Sequence, residues 1–166
     1  MSINMRVSRN YGTHLGLLIQ AVNKTSGPIL ELGVGIFSTP YLHYAAISSG
    51  RQLVSYDNHR GWLKFFIPYQ SLSHQLILVR GWDEADIERS WDVALVDHSP
   101  GERRRQEVGR LASYAKYIII HDANEKDDRE YHYSEIYPLF KYRKVWDKDA
   151  NSAAILSNFD DLKDFY

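Results

Sequence analysis

Short apolar runs alternate along the chain with polar, glycine-bearing or helical stretches. Leu15, Leu18 and Val22, flanked by Leu17 and Ala21, fall on one face of an amphipathic helix predicted over residues 13–23. Residues 24–27 stop it, and residues 28–32 read as a buried strand that ends in the turn Gly33-Val34-Gly35. Thr39 and Pro40 open the next helix, with a hydroxyl to cap and a proline that needs no N–H partner. A second strand over residues 52–56 ends on Asp57. Residues 58–61 then open an aromatic helical stretch to about residue 72, interrupted near Pro68. Residues 75–79 read as a third buried strand, leading to Arg80-Gly81-Trp82-Asp83. Residues 91–96 form a fourth, ending at Asp97-His98. Ser99-Pro100-Gly101-Glu102 has the form of a helix start: serine as cap, proline first, glutamate completing a capping box. That helix is expected to reach about Tyr114 and to bury Val108, Leu111, Ala112 and Ala115. A fifth strand over residues 116–120 ends at His121-Asp122. After a polar stretch and a short helix to about Phe140, strands over 142–146 and 152–157 are joined by residues 147–151, a turn short enough for an antiparallel hairpin.

Strands alternating with helices imply an α/β fold, with a doubly wound, mostly parallel sheet and helices on both faces. The closing hairpin adds one antiparallel strand and brings the expected total to seven. At 166 residues the chain has length for one domain over 1–166, with a loose arm over residues 1–10, the arm and first helix within 1–27, and the core at 28–158.

Composition narrows the partners. Acidic and basic residues nearly cancel, at a net charge of −1, so no global basic field exists to hold nucleic acid. Without cysteine there is no disulfide framework, thiolate zinc site or cysteine nucleophile. No apolar run approaches the roughly 20 residues that span a bilayer, and the first residues lack the apolar core of a signal peptide. The expectation is a soluble cytoplasmic protein, monomer or homodimer. Its twelve Tyr and four Trp suit a site for flat or apolar groups, and suit a packed core equally.

Ligands of open α/β sheets bind beyond the carboxyl ends of the strands. Here those ends read Gly33-Val34-Gly35, Asp57-Asn58, Trp82-Asp83, Asp97-His98 and His121-Asp122. Glycine at a strand-to-helix turn admits a close ligand, and an acid ending the next strand can accept both hydroxyls of a ribose. On the wheel of the helix after the fourth strand, Arg104 and Arg105 fall near the stripe's edge and could meet an anionic group, whereas Arg103 and Arg110 face away. The segment 127–133 is a candidate lid.

From about Pro28 to Ser157 the chain resembles class I S-adenosylmethionine-dependent methyltransferases, which are Rossmann-like. Glu31-Leu32-Gly33-Val34-Gly35 is similar to that family's first motif, Asp57 to its ribose-binding acid, and Trp82-Asp83 to its adenine-contacting pair. Asp97 stands at the position beside the methyl group, and the terminal hairpin matches the family's antiparallel seventh strand. One departure is Phe37, where the family often has a third glycine. The resemblance implies cofactor contacts from Glu31, Gly33, Val34, Gly35, Thr39, Asp57, Asn58, Trp82, Asp83 and Asp97. Glu31, held by backbone N–H groups, would orient the first loop. Acids near the turn suit a cofactor whose methionine end is cationic.

Transfer to a hydroxyl needs a base or a metal to generate the oxyanion. Asp97, His98 and His121 are the candidate catalytic groups, a histidine serving as base. Asp97-His98 and Asp122 are also similar to the Mg²⁺-holding positions of catechol-type O-methyltransferases. The expected amide after the second acid is Ala123, with Asn124 one residue later, and Pro100 replaces an expected lysine, so Mg²⁺ is not favoured. The resulting expectation is an O-methyltransferase for a small molecule. A non-catalytic S-adenosylmethionine-binding module and a nucleic-acid methyltransferase are the alternatives, the latter disfavoured by Asp97-His98-Ser99-Pro100 in place of an Asp/Asn-Pro-Pro-aromatic motif. A nicotinamide-linked oxidoreductase ranks third.

Overall fold

In a computed structural model, which describes residues 8–147 and 151–165, seven strands form one sheet in the order β3-β2-β1-β4-β5-β7-β6. The strands are β1 (Ile29–Leu32), β2 (Leu53–Asp57), β3 (His74–Leu78), β4 (Trp91–Val96), β5 (Ala115–His121), β6 (Tyr142–Trp146) and β7 (Ala153–Ser157). Strands β1 to β5 pair in parallel, and β7 runs antiparallel between β5 and β6. This is the expected architecture. Residues 148–150, within the expected hairpin turn, lie outside the described residues.

Alternation along the central strands sorts side chains into two cores. Leu30, Leu32, Val54, Ala94, Val96, Ile118 and Ile120 meet α4 (Arg104–Leu111) and α6 (Tyr133–Ile136) through Val108, Leu111 and Tyr133. Ile29, Leu53, Val93, Leu95 and Ile119 face the other way, onto α1 (Leu15–Asn23) and α2 (Ser38–Ser49) through Leu17, Leu18, Leu42 and Ala46. Glu31 and Ser55, paired across β1 and β2, point to this second face beneath α2.

Several elements depart from expectation. Strand β3 is an edge strand, and only His74 in it is buried. The aromatic stretch after Asp57 divides into a short helix, α3 (Arg60–Leu63), and a 3₁₀ turn over Lys64–Tyr69 that accommodates Pro68. Ser99 does not cap a helix: the Ser99–Pro100 bond is cis, a 3₁₀ turn occupies Gly101–Arg103, and the regular helix begins only at Arg104. That helix stops at Leu111, so Ala115 begins β5. The arm is not loose where it is described, because Arg9–Gly12 forms a 3₁₀ turn capped by the Ser8 hydroxyl. No helix among the described residues is long and apolar enough to cross a membrane.

Arg51 is the buried cation that ties α1 to the sheet. Its guanidinium donates to the carbonyls of Gly27 (2.6 Å), Val22 (3.0 Å) and Thr25 (3.3 Å) and to the Thr25 hydroxyl (3.0 Å). Arg51→Met fills the same space but strands the Gly27 and Thr25 carbonyls, each worth about 1–3 kcal/mol when left unsatisfied. Urea denaturation should show a loss of about 2–4 kcal/mol with an unchanged slope. A loss below about 0.5 kcal/mol would show that the loop is held by something else.

Candidate functional site

The carboxyl ends of β1, β2, β4 and β5 meet along one rim. Gly33 adopts φ +92°, and a Cβ there would lie 2.6 Å from the Asp97 carbonyl oxygen and 2.7 Å from the His98 Cα. Glycine is therefore required where the β1 turn crosses the β4 tip. Asp57 closes the other side: its carboxylate accepts from the backbone N–H groups of Val34 (3.1 Å) and His59 (2.7 Å). Burial pushes the Asp57 carboxyl above its usual range despite these two donors. The Trp62 indole donates to the Val34 carbonyl (2.7 Å) and pins the glycine turn from above.

Beneath the turn, Glu31 is fully buried. Its donors are hydroxyls, not the expected backbone N–H groups: Ser38 (2.7 Å), Thr39 (2.9 Å) and Ser55 (2.6 Å). The Thr39 hydroxyl in turn accepts from the Gly35 N–H (2.9 Å), so it ties the loop to Glu31 instead of capping α2. The chain continues from Ser55 to His74 Nε2 (2.9 Å) and from His74 Nδ1 to His43 Nδ1 (3.1 Å). Burial raises the Glu31 carboxyl to about 7 and lowers His74 to about 4.

Two hollows with shared lining residues lie on the rim. A recess of about 240 Å³ is lined by Gly33, Val34, Asp57, Asn58, His98 and Ser99, among others. Asn58 donates to the Ser99 carbonyl (3.0 Å), joining the tip of β2 to the loop after β4. Trp62 and Asp97 line both this recess and a cleft of about 400 Å³, whose other walls include Tyr11, His14, Phe37, Arg104, His121 and Asp122. Phe37, standing where a third glycine was noted as missing, turns its ring toward Gly12 of the amino-terminal turn.

Charge concentrates in the cleft. Arg104 is buried and bridges Asp97 Oδ1 (2.9 Å) and Asp122 Oδ2 (3.1 Å), while its Nε donates to the His98 carbonyl (2.6 Å) and its guanidinium lies over the Tyr131 ring. Asp122 sits at φ +57°, a left-handed conformation that aspartate tolerates better than most residues, and accepts from Asn151 (2.9 Å) and Tyr131 (3.2 Å). His121 Nδ1 lies 3.3 Å from Asp97 Oδ1 and 3.5 Å from Asp122 Oδ2. Its Nε2 meets the Thr13 hydroxyl (2.9 Å) and the Asn10 carbonyl (3.2 Å). Burial works to raise the Asp97 carboxyl, but the His121 hydrogen bond and the Arg104 charge outweigh it and hold the group below its usual range. Burial works to lower His121, yet Asp97 and Asp122 raise it above the ordinary imidazole value. His14, packed edge-on to His121 at 4.9 Å, is lowered by burial to about 4 and stays neutral.

The rim thus gathers Gly33, Val34, Gly35, Asp57, Asn58, Asp97 and His121, with Glu31 and Thr39 directly beneath. Of the remaining three candidates, Trp82 and Asp83 line neither hollow, and His98 borders the recess with its ring turned elsewhere. Trp82 is buried, stacks on the His98 ring at 3.9 Å and donates to the Ser99 carbonyl. Asp83 lies in solvent, paired with Arg103. The His98 ring is directed away from the cleft into α4, where Nε2 lies 3.2 Å from Glu107 Oε2 and burial lowers its pKa against the pull of that carboxylate. Arg105 pairs with Glu135 on the surface, leaving Arg104 alone at the strand ends. The sequence reading missed His14 and Tyr11, which reach the cleft from the amino-terminal segment. Their spacing along the chain carries no signal, because only the tertiary packing of that segment on β5 brings them there.

No protein-family model matches the chain, and no curated protein matches it. Solved structures do. A human methyltransferase 10 domain-containing protein superposes with a TM-score of 0.60 at 10% identity, covering 96% of this chain and 90% of the other. A precorrin-6y C5,15-methyltransferase from Geobacter metallireducens gives 0.63 at 9%, covering 93% and 94%. The chain has the Rossmann-like fold of these methyltransferases. A protein of the NADB-Rossmann superfamily from Streptococcus agalactiae also superposes, with a TM-score of 0.56 at 12% identity, covering 97% and 73%. These likenesses establish architecture.

The buried Glu31 carboxyl gives a pH test. With its pKa raised to about 7, the folded state retains a proton that the unfolded chain has released above the ordinary value of 4.5. Its stabilising contribution is complete below about 4.5 and is lost as pH rises through about 7. Urea denaturation at pH 5 and pH 8 should therefore show a larger alkaline loss in the native protein than in Glu31→Gln. Parallel losses would mean that the three hydroxyls keep Glu31 ionised throughout.

Proposed function

We propose that the protein is an S-adenosylmethionine-dependent methyltransferase acting on an oxygen of a small molecule. The observation that carries this reading is that Asp97 and Trp62 line both the recess beside Gly33 and Asp57 and the cleft that Tyr11 and Phe37 help to wall. The recess suits an adenosine: Gly33 leaves the β1 turn without a side chain there, and Asp57 keeps lone pairs for ribose hydroxyls after accepting its two N–H groups. Bound there, S-adenosylmethionine supplies a methyl group on a sulfonium whose leaving group is a neutral thioether. Asp97 places negative charge beside that cation, and Glu31 and Thr39 fix the loop from below. Trp82 and Asp83 take no part in this reading.

The cleft has the size and mixed lining of a small-ligand site. Tyr11, Ile36, Phe37 and Trp62 supply flat apolar walls, and Arg104 and Asn151 supply donors. Holding the acceptor oxygen in line with the methyl carbon is the largest contribution these walls can make. The acceptor's proton passes to the Asp97–His121 pair when His121 is in its neutral form, with Nδ1 as its final holder. His98, turned into α4, orients the loop after β4 and does not touch the acceptor. Arg104 spans the two acids that would otherwise hold Mg²⁺, which disfavours Mg²⁺ between Asp97 and Asp122.

S-adenosylmethionine and its demethylated product should each raise the melting temperature, and NAD should not, because a ligand stabilises the state it binds by mass action. Asp57→Ala should weaken calorimetric affinity for S-adenosylmethionine tenfold or more, as expected when a hydrogen-bonded buried carboxylate is lost (about 1.4 kcal/mol per tenfold). Unchanged affinity in the variant, or stabilisation by NAD instead, would overturn the assignment.

With methyl-labelled cofactor, label should appear in hydroxylic small molecules and not in RNA or protein. His121→Asn should lower that transfer about 100-fold, within the usual range for a lost acid–base group. Binding without transfer to any acceptor would favour the non-catalytic module.

A further inference from the structure

We propose that His14, Asp97 and His121 form a divalent-metal site of the two-histidine, one-carboxylate kind in the wall of the cleft. The ion it suits is of borderline softness, such as Zn²⁺, Fe²⁺ or Co²⁺, because two of the three ligands are imidazoles; Mg²⁺ prefers oxygen alone. One ligand atom from each side chain can be chosen so that all lie within 4.8 Å of one another. His14 Nδ1 is 3.9 Å from Asp97 Oδ2, and His121 Nδ1 is 3.3 Å from Asp97 Oδ1. Metal–ligand bonds of about 2.0–2.2 Å put neighbouring ligand atoms roughly 3–4 Å apart, so small side-chain rotations suffice.

His14 gives the strongest indication. It is 2% exposed, and neither ring nitrogen has a hydrogen-bond partner. A buried imidazole left this way is costly and calls for an explanation. A bound cation would supply the missing partner. His121 is arranged as metal-bound histidines usually are. The Asn10 carbonyl can only accept, which assigns an N–H to Nε2; Nδ1 faces the Asp97 carboxylate, to which it donates until an ion takes that proton's place. The Thr13 hydroxyl supports this assignment, since it donates its own hydrogen to the same Asn10 carbonyl (3.2 Å) and so accepts from Nε2.

The surroundings leave room for the ion. Arg104 occupies Asp97 Oδ1 and leaves Oδ2 facing His14. Once an ion displaces the His121 proton, two carboxylates, one guanidinium and two neutral imidazoles leave the side chains with a net charge of about −1 opposite the cation. Three protein ligands against an open cleft leave further positions for an oxygen ligand from solution. The inference stands apart from methyl transfer, since affinity for the ion can be measured with neither cofactor nor acceptor present.

Tag-free protein, stripped with EDTA and dialysed, is titrated with CoCl₂ and followed by visible absorption and calorimetry. One Co²⁺ per chain should bind with d–d bands of a low-coordinate nitrogen and oxygen site, and Zn²⁺ should displace it. His14→Ala and His121→Ala should each weaken binding ~100-fold or more, while His132→Gln, a surface histidine, should leave it unchanged. His14→Gln, closer in volume, serves if the alanine variant does not fold, and should lose the metal equally. No spectrum at millimolar Co²⁺, the pale spectrum of a hexa-aquo ion, or affinity unaltered by both histidine substitutions would each overturn the proposal.

Discussion

Two carboxylates converge where β4 and β5 end, and the cleft depends on how their repulsion is resolved. Each lies within hydrogen-bond reach of the same guanidinium, and one imidazole nitrogen stands 3.3 and 3.5 Å from them. Like charges about 4 Å apart repel by roughly 4 kcal/mol at an effective dielectric of 20. That would be enough to protonate one acid or drive the strand tips apart. Arg104 removes the conflict by meeting both acids at once, and only a planar fork serves two acceptors in this way. Because Arg104 is also the first residue of α4 and binds the His98 carbonyl, the same contact fixes the helix, the β4 loop and the β5 tip. A lysine would neutralise one acid and leave the helix start untethered.

The glycine turn is constrained from three sides. Gly33 lies against the β4 backbone, Asp57 accepts from Val34, and Thr39 accepts from Gly35 while donating to Glu31. A loop held this way has little conformational entropy left to lose on binding a ligand. The buried path running Glu31, Ser55, His74 and His43 makes the arrangement sensitive to one proton. If Glu31 is ionised, Ser55 donates to it and accepts from His74. If Glu31 takes a proton on Oε2, the oxygen that meets Ser55, Ser55 turns and donates to His74, and the imidazole tautomers downstream reverse. The direction of the hydrogen bonds under the turn is thus set by the protonation of a single carboxyl.

The sheet was legible because its signals are local: apolar runs of strand length, glycine or an acid at each tip, and a hairpin-length turn near the end. So was the convergence of Gly33, Asp57, Asp97 and His121, which follows once parallel strands share a direction. What failed were inferences from residue type to partner. Ser99-Pro100-Gly101-Glu102 has every residue of a capping box, yet the chain needs those residues to pass over Trp82, and the helix waits until Arg104 can reach the acids. Trp82 and Asp83 occupy the expected place in the chain but separate in space, one under His98 and the other into solvent. His98 itself faces Glu107, a helix residue whose burial no surface-charge pattern would announce. His14 was invisible for a different reason: it reads as the polar start of a helix, and only the packing of α1 beside β5 carries it to the cleft.

That packing bears on why the amino-terminal segment belongs to the site. Asn10, Thr13 and His14 reach the cluster from a 3₁₀ turn and the residues that follow it, and they supply one acceptor, one hydroxyl and one imidazole. Without them His121 would have solvent at Nε2, and its tautomer would no longer be fixed by a carbonyl. Asp97 would then face an imidazole free to present either nitrogen. The segment therefore does more than cover the cleft: by holding the hydrogen on Nε2, it dedicates Nδ1 to whatever sits beside Asp97. A proton and a divalent ion compete for that one lone pair. The chemistry at the tips of β4 and β5 turns on which of the two wins.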